Sequence, residues 1–125
     1  MPRDLDARIF VFACRIVDLF ELLYPQGGAA RALGYQLLES GTSVGANYEE
    51  AGAGQTKPDF IARLAIARKE SKETLFWLRL IHAKGFLPRE SLLPDISEAR
   101  QLTAILRAII IKARSSPRRG PDPAV

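Results

Sequence analysis

Ser40-Gly41-Thr42-Ser43-Val44-Gly45-Ala46-Asn47-Tyr48-Glu49-Glu50-Ala51 decides how this chain folds, because it sets apolar, polar and glycine positions at helical spacing on one segment. Val44, Tyr48 and Ala51 follow the three- and four-residue steps of a helix face, and Leu33, Leu37 and Ser40 extend that face backwards. Gly41 and Gly45 each weaken a helix by about 1 kcal/mol relative to alanine. Their presence therefore predicts a partner helix lying close against them. Asn47 and Glu50 flank Val44 and Tyr48 and predict polar groups built into a helical core.

The same period runs outward in both directions. Upstream, Leu5, Ile9, Phe12, Ile16, Leu19, Phe20 and Leu23 share one face of a helix that stops at Pro25-Gln26-Gly27-Gly28. Downstream, Thr56 is suited to cap a third helix, Pro58 and Asp59 to its first turn, and Gly85 to its end. The inner face of that helix reads Phe60, Leu64, Ala67, Ser71, Leu75 and Leu78. A fourth helix, from about Arg89 or Ser91 to Ala113, aligns Leu92, Ile96, Ala99, Thr103, Leu106 and Ile110, and Pro94 fits its first turn if it starts near Leu92 or Leu93. No segment alternates with period two. The expected fold is all-α, an antiparallel up-down-up-down four-helix bundle over residues 1–114, followed by a disordered tail over 115–125 that is rich in proline and arginine.

Composition narrows the function. A chain of 125 residues is one domain, large enough to bury a core without cross-links. Its single cysteine, Cys14, and single histidine, His82, exclude an internal disulfide or a structural zinc site within one chain. The charged start of the chain and the want of a long apolar run predict a soluble, cytoplasmic protein with no membrane association. With 18 Lys and Arg against 14 Asp and Glu, the net charge of +4 is by itself weak evidence for a nucleic-acid partner.

Several constellations bear on chemistry. Gln36, Ser40, Ser43, Asn47 and Glu50 form a polar strip on helix two that should face Arg63, Glu70, Glu73 and Trp77 on helix three. A di-iron bundle would need a Glu-x-x-His motif on two helices, which this sequence lacks, so the strip is read as structural. Catalytic residues, cofactor, metal site and small-molecule substrate are all expected to be absent, since no nucleophile and base pair or phosphate-cradling loop is present. Arg68, Lys72 and Arg79 fall within about 40° on helix three and form a basic ridge. With Arg114, Arg118 and Arg119 they are the candidate nucleic-acid contacts, the alternative being a solvated helix face. A second set of apolar residues, Leu102, Ile105, Ile109 and Ile111 on helix four, Phe76 and Leu80 on helix three, and Val11 and Leu22 on helix one, is read as a subunit interface.

The helix-two stretch, taken with Lys69-Glu70-Ser71-Lys72-Glu73-Thr74 and Trp77-Leu78, resembles the bacterial four-helix-bundle family of ribosomal-RNA intervening-sequence proteins, also called the S23 ribosomal protein family. The resemblance runs from about Ile9 to Ile111 and carries over Ser43, Asn47, Glu50, Lys69, Glu70, Glu73 and Trp77 as a shared structural polar cluster. It implies a homo-oligomer, commonly a ring-shaped pentamer, and a link to RNA or to a nucleic-acid-processing partner, as in the accessory bundles of diversity-generating retroelements. Two functions are thus expected: a non-enzymatic oligomeric module that binds RNA or assists its processing, or a structural, protein-interaction bundle with no nucleic-acid role.

Overall fold

A computed structural model of the protein describes residues 3–53 and 56–116. Four long helices occupy them: α1 (Arg3–Leu23), α2 (Gly28–Gly52), α3 (Lys57–Lys84) and α4 (Arg89–Ser115), with a 3-10 turn at Tyr24–Gln26. Among the described residues there is no strand.

The ends of these helices follow from local chemistry. The turn from α1 into α2 needs positive φ at Gly27 (69°) and Gly28 (52°), which glycine adopts without a Cβ penalty. Thr56 Oγ1 accepts the Asp59 N–H at 3.2 Å, satisfying one of the orphan donors that open α3. Gly85 closes α3 in the left-handed conformation, its N–H directed to the His82 carbonyl. Helix α4 begins at Arg89, the earlier of the two expected starts. Ser91 N–H bonds the Pro88 carbonyl at 3.1 Å, so the helix is already under way at Arg89, and Pro94 falls in the second turn rather than the first. Its missing N–H leaves the Glu90 carbonyl without a helical partner.

The core draws one face from each helix: Leu5, Ile9, Phe12, Ile16, Leu19 and Leu23 from α1, Leu37, Val44 and Tyr48 from α2, Leu64, Leu78 and Ile81 from α3, and Leu92, Leu102, Leu106 and Ile110 from α4. Burying each such side chain stabilises the fold by about 1.5–3 kcal/mol. Helix α2 packs on α1 and α3, and α4 packs on α3 and more sparsely on α1. Between α1 and α4 a cleft of about 450 Å³ stays open, lined by Ala7, Val11, Phe12 and Pro94 and crossed by the ion pairs of Arg8 with Glu98 and Arg15 with Asp95.

The second apolar face expected on α4 is largely absorbed by the core. Leu102 is fully buried, and Ile105 and Ile109 are half-buried against it. Ile111 alone of that set is exposed, because the others face α3 and the core. Exposed apolar area gathers instead on α1, where Phe10 is 69% and Val11 64% accessible, with Leu22 also exposed.

Candidate nucleic-acid interface

One hydrogen bond sets the frame. The hydroxyls of Ser71 and Thr103 meet at 2.7 Å and fix the height of α4 against α3, while Lys57 Nζ donates to the Ser116 carbonyl at 2.9 Å further along. At about 100° per residue, Arg68, Lys72 and Arg79 then lie along the edge of α3 that borders α4. Arg100, Arg107 and Arg114 lie along the facing edge of α4 at seven-residue intervals, about 10.5 Å apart at 1.5 Å per residue. The register brings Arg107 to the height of Arg68 and Arg100 to that of Lys72. Lys72, Arg79, Arg100, Arg107 and Arg114 are exposed, and Arg68 is half-buried.

Among the described residues, no carboxylate forms an ion pair with these rows. The ion pairs among the described residues, Arg8–Glu98 at 2.7 Å and Arg15–Asp95 at 3.1 Å, both lie between α1 and α4. Glu98 raises the Arg8 pKa through their hydrogen bond; burial raises that of Asp95 against the opposing pull of Arg15. Arg68 Nε is buried without a hydrogen-bond partner, so its guanidinium is held at the seam by packing and not by an acceptor. The charge is also unevenly spread. Of the 18 Lys and Arg residues, all but Arg3, Arg8, Arg15, Arg31 and the tail pair Arg118 and Arg119 lie on α3 and α4. The tail pair lies outside the described residues.

The polar cluster separates into small local pairs. Arg63 Nη1 donates to Asn47 Oδ1 at 3.3 Å, Asn47 Nδ2 donates to the Ser43 carbonyl at 2.9 Å, and Trp77 Nε1 donates to Glu73 Oε2 at 3.2 Å. Glu50 and Lys69 are exposed and make no side-chain hydrogen bond among the described residues. The Glu70 carboxyl is likewise unbonded, and burial, then the nearby Glu73 and Glu39, push its pKa above the usual carboxylate value. The polar link that crosses the core is another one: the hydroxyls of Thr74 and buried Ser40 meet at 2.9 Å, and Thr74 Oγ1 also lies 2.7 Å from the Glu70 carbonyl. Hydrogen bonding between Ser40 and Thr74 was not anticipated, since helical period marks a position as inward but not what it meets. The arginine ladder on α4 was missed too, although its seven-residue spacing was a usable signal.

Among the described residues, no three His, Cys, Asp or Glu side chains converge on a point where a metal ion could sit, and no helix is long and apolar enough to cross a membrane. Exposed Cys14 on α1 is a free thiol. His82 is half-buried near the end of α3 with Nε2 unpartnered among the described residues.

Four long helices around one apolar core, with a bare basic seam on one side, define a small all-α helical protein. The chain belongs to the 23S rRNA-intervening sequence protein family, whose model matches residues 7–108. Among solved structures it is similar to a protein of unknown function from the S23 ribosomal protein family of Bacteroides thetaiotaomicron. The two are 34% identical, with a TM-score of 0.78, over 84% of this chain and 96% of that one. A comparison with curated proteins finds no match.

Proposed function

We propose that this protein is a non-enzymatic RNA-binding module, an up-down-up-down bundle that assembles with copies of itself in the cytoplasm and holds RNA through its phosphates. The observation that carries this reading is the double row of Arg68, Lys72 and Arg79 on α3 and Arg100, Arg107 and Arg114 on α4, which forms no ion pair among the described residues. An unpaired basic row costs a solvated protein little and gives a polyanion a continuous track, and displaced counterions then drive binding. The family description, which refers to 23S rRNA, favours RNA as the polyanion.

The up-down arrangement is supported by contacts that run in opposite senses along neighbouring helices. Asn47 meets Arg63 while Ser40 meets Thr74, and Arg8 meets Glu98 while Arg15 meets Asp95. Self-assembly is supported by the exposed apolar residues of α1. An exposed free thiol at Cys14 suits a reducing compartment.

The test is a salt titration of RNA binding by the full chain and by an Arg100→Gln/Arg107→Gln variant. Unrelated structured RNAs should bind with similar affinity, because phosphate contacts carry no sequence information. The variant should weaken all of them alike and flatten the plot of log affinity against log salt by about one unit per lost contact. An unmodified protein that binds no RNA at low salt, or a variant that binds as well as its parent, overturns this reading in favour of a protein-interaction bundle.

A further inference from the structure

Phe76, like Phe10 on α1, is a large aromatic side chain left uncovered on a well-packed helix. It is 52% exposed on α3, with exposed Lys72 one turn before it and Arg79 one turn after it, and with exposed Glu73, which accepts the Trp77 indole N–H, also one turn before it. Side chains at these spacings lie about 5–6 Å apart at Cβ. The ring is also braced. Trp77 stands edge-on to it, ring centroids 5.0 Å apart at 71°, and Trp77 is itself tethered by its indole N–H to Glu73. An exposed aromatic ring that is held in place and flanked by two cations has the parts of a nucleotide platform: a π face for a base, and a positive charge on either side for the phosphates next to it.

Resting on the RNA-binding reading of the basic seam, we propose that Phe76 is a stacking platform for an unpaired base, so that the seam takes single-stranded segments of RNA in preference to continuous duplex. A base paired in a duplex has both faces covered by its neighbours and cannot lie on Phe76. An unpaired base can, whatever its identity, because every base offers a π face. Contact with a second copy of the chain is the competing use of the ring. Lys72, Glu73 and Arg79 lie within about a turn of Phe76, and the buried centres of protein interfaces are depleted in charged residues. The other aromatic group, Phe20, Tyr24 and Tyr35, is packed ring against ring, with Arg31 already seated 4.2 Å over Tyr24.

The experiment compares binding of a short oligouridine and of a blunt RNA duplex of equal length by the full chain, by Phe76→Leu and by Phe76→Tyr. Phe76→Leu, which keeps the apolar bulk and removes the π face, should lose about tenfold in affinity for oligouridine. It should leave duplex affinity and the mass from light scattering unchanged, and Phe76→Tyr should restore binding. Trp77 is the chain's single tryptophan, so oligouridine should quench its fluorescence in the parent protein more than in Phe76→Leu. If Phe76→Leu binds oligouridine as its parent does while Arg100→Gln/Arg107→Gln does not, the seam stands and the platform falls. A change of mass in Phe76→Leu makes the ring a contact between copies and also overturns the platform. Failure of the unmodified protein to bind either RNA removes both readings.

Discussion

Glycine at position 41 is required by one neighbour. A Cβ built there would lie 2.7 Å from both Cγ1 and Cγ2 of Ile16, a fully buried side chain with no room to withdraw. At Gly45 the added carbon would meet Ile9 Cγ2 at 3.6 Å, an ordinary contact. Alanine is favoured over glycine in a helix by about 1 kcal/mol, whereas overpacking a core costs about 1–3 kcal/mol. Gly41→Ala should therefore destabilise the protein, and Gly45→Ala should stabilise it by up to about 1 kcal/mol, as read from urea midpoints. An equal response from the two variants would show that the close approach at Ile16 is not real. In the sequence the two glycines looked alike; the difference lies in which α1 side chain each one faces.

Helices α2 and α3 are joined across the core by a single polar bridge, that of Thr74 to Ser40. Ser40 has one further interaction, a long 3.4 Å contact to the Leu37 carbonyl, so removing the Thr74 hydroxyl leaves a buried oxygen poorly satisfied. Thr74→Val, which preserves shape, should cost about 1–3 kcal/mol in chemical denaturation, and a Ser40→Ala/Thr74→Val double variant should recover part of that loss. A double variant as unstable as the sum of its parts would mean that the two hydroxyls do not interact. Element boundaries were the most legible part of the chain. Thr56, Gly27 and Gly85 terminate helices through local hydrogen bonds and backbone angles, which neighbouring residues alone dictate. Pro94 was harder to place, because the helix that contains it is started by a backbone bond at Pro88 that leaves no mark in hydrophobic period.

Across the whole molecule, the most exposed apolar side chains, Phe10 and Val11, lie on α1, away from the basic seam of α3 and α4. Val11, which lines the open cleft, and Leu22 share an edge of α1, while the basic seam follows α3 and α4. Aligned exposed apolar residues are a liability for a protein that stays single, so the chain should exceed a dimer in light scattering at micromolar concentration. Val11→Glu/Leu22→Glu should lower that mass without unfolding the helices; a monomeric parent protein would refute the claim. Arg68, Lys72 and Arg79 could be placed together from the sequence because they share one helix, on which spacing alone sets the angle. Arg100, Arg107 and Arg114 could be aligned with one another in the same way, but not with the α3 row. That requires the rotation and height of α4 against α3, which packing of Ser71 on Thr103 decides. The sequence by itself determined four helices, their caps and their buried faces, since these depend on residues a few positions apart. Only the tertiary structure decided that Ile105 and Ile109 rest on the core, that Glu50 and Glu70 make no side-chain hydrogen bond among the described residues, and that two basic rows form one seam. Each of these depends on residues far apart in the chain, whose meeting is set by how whole helices pack.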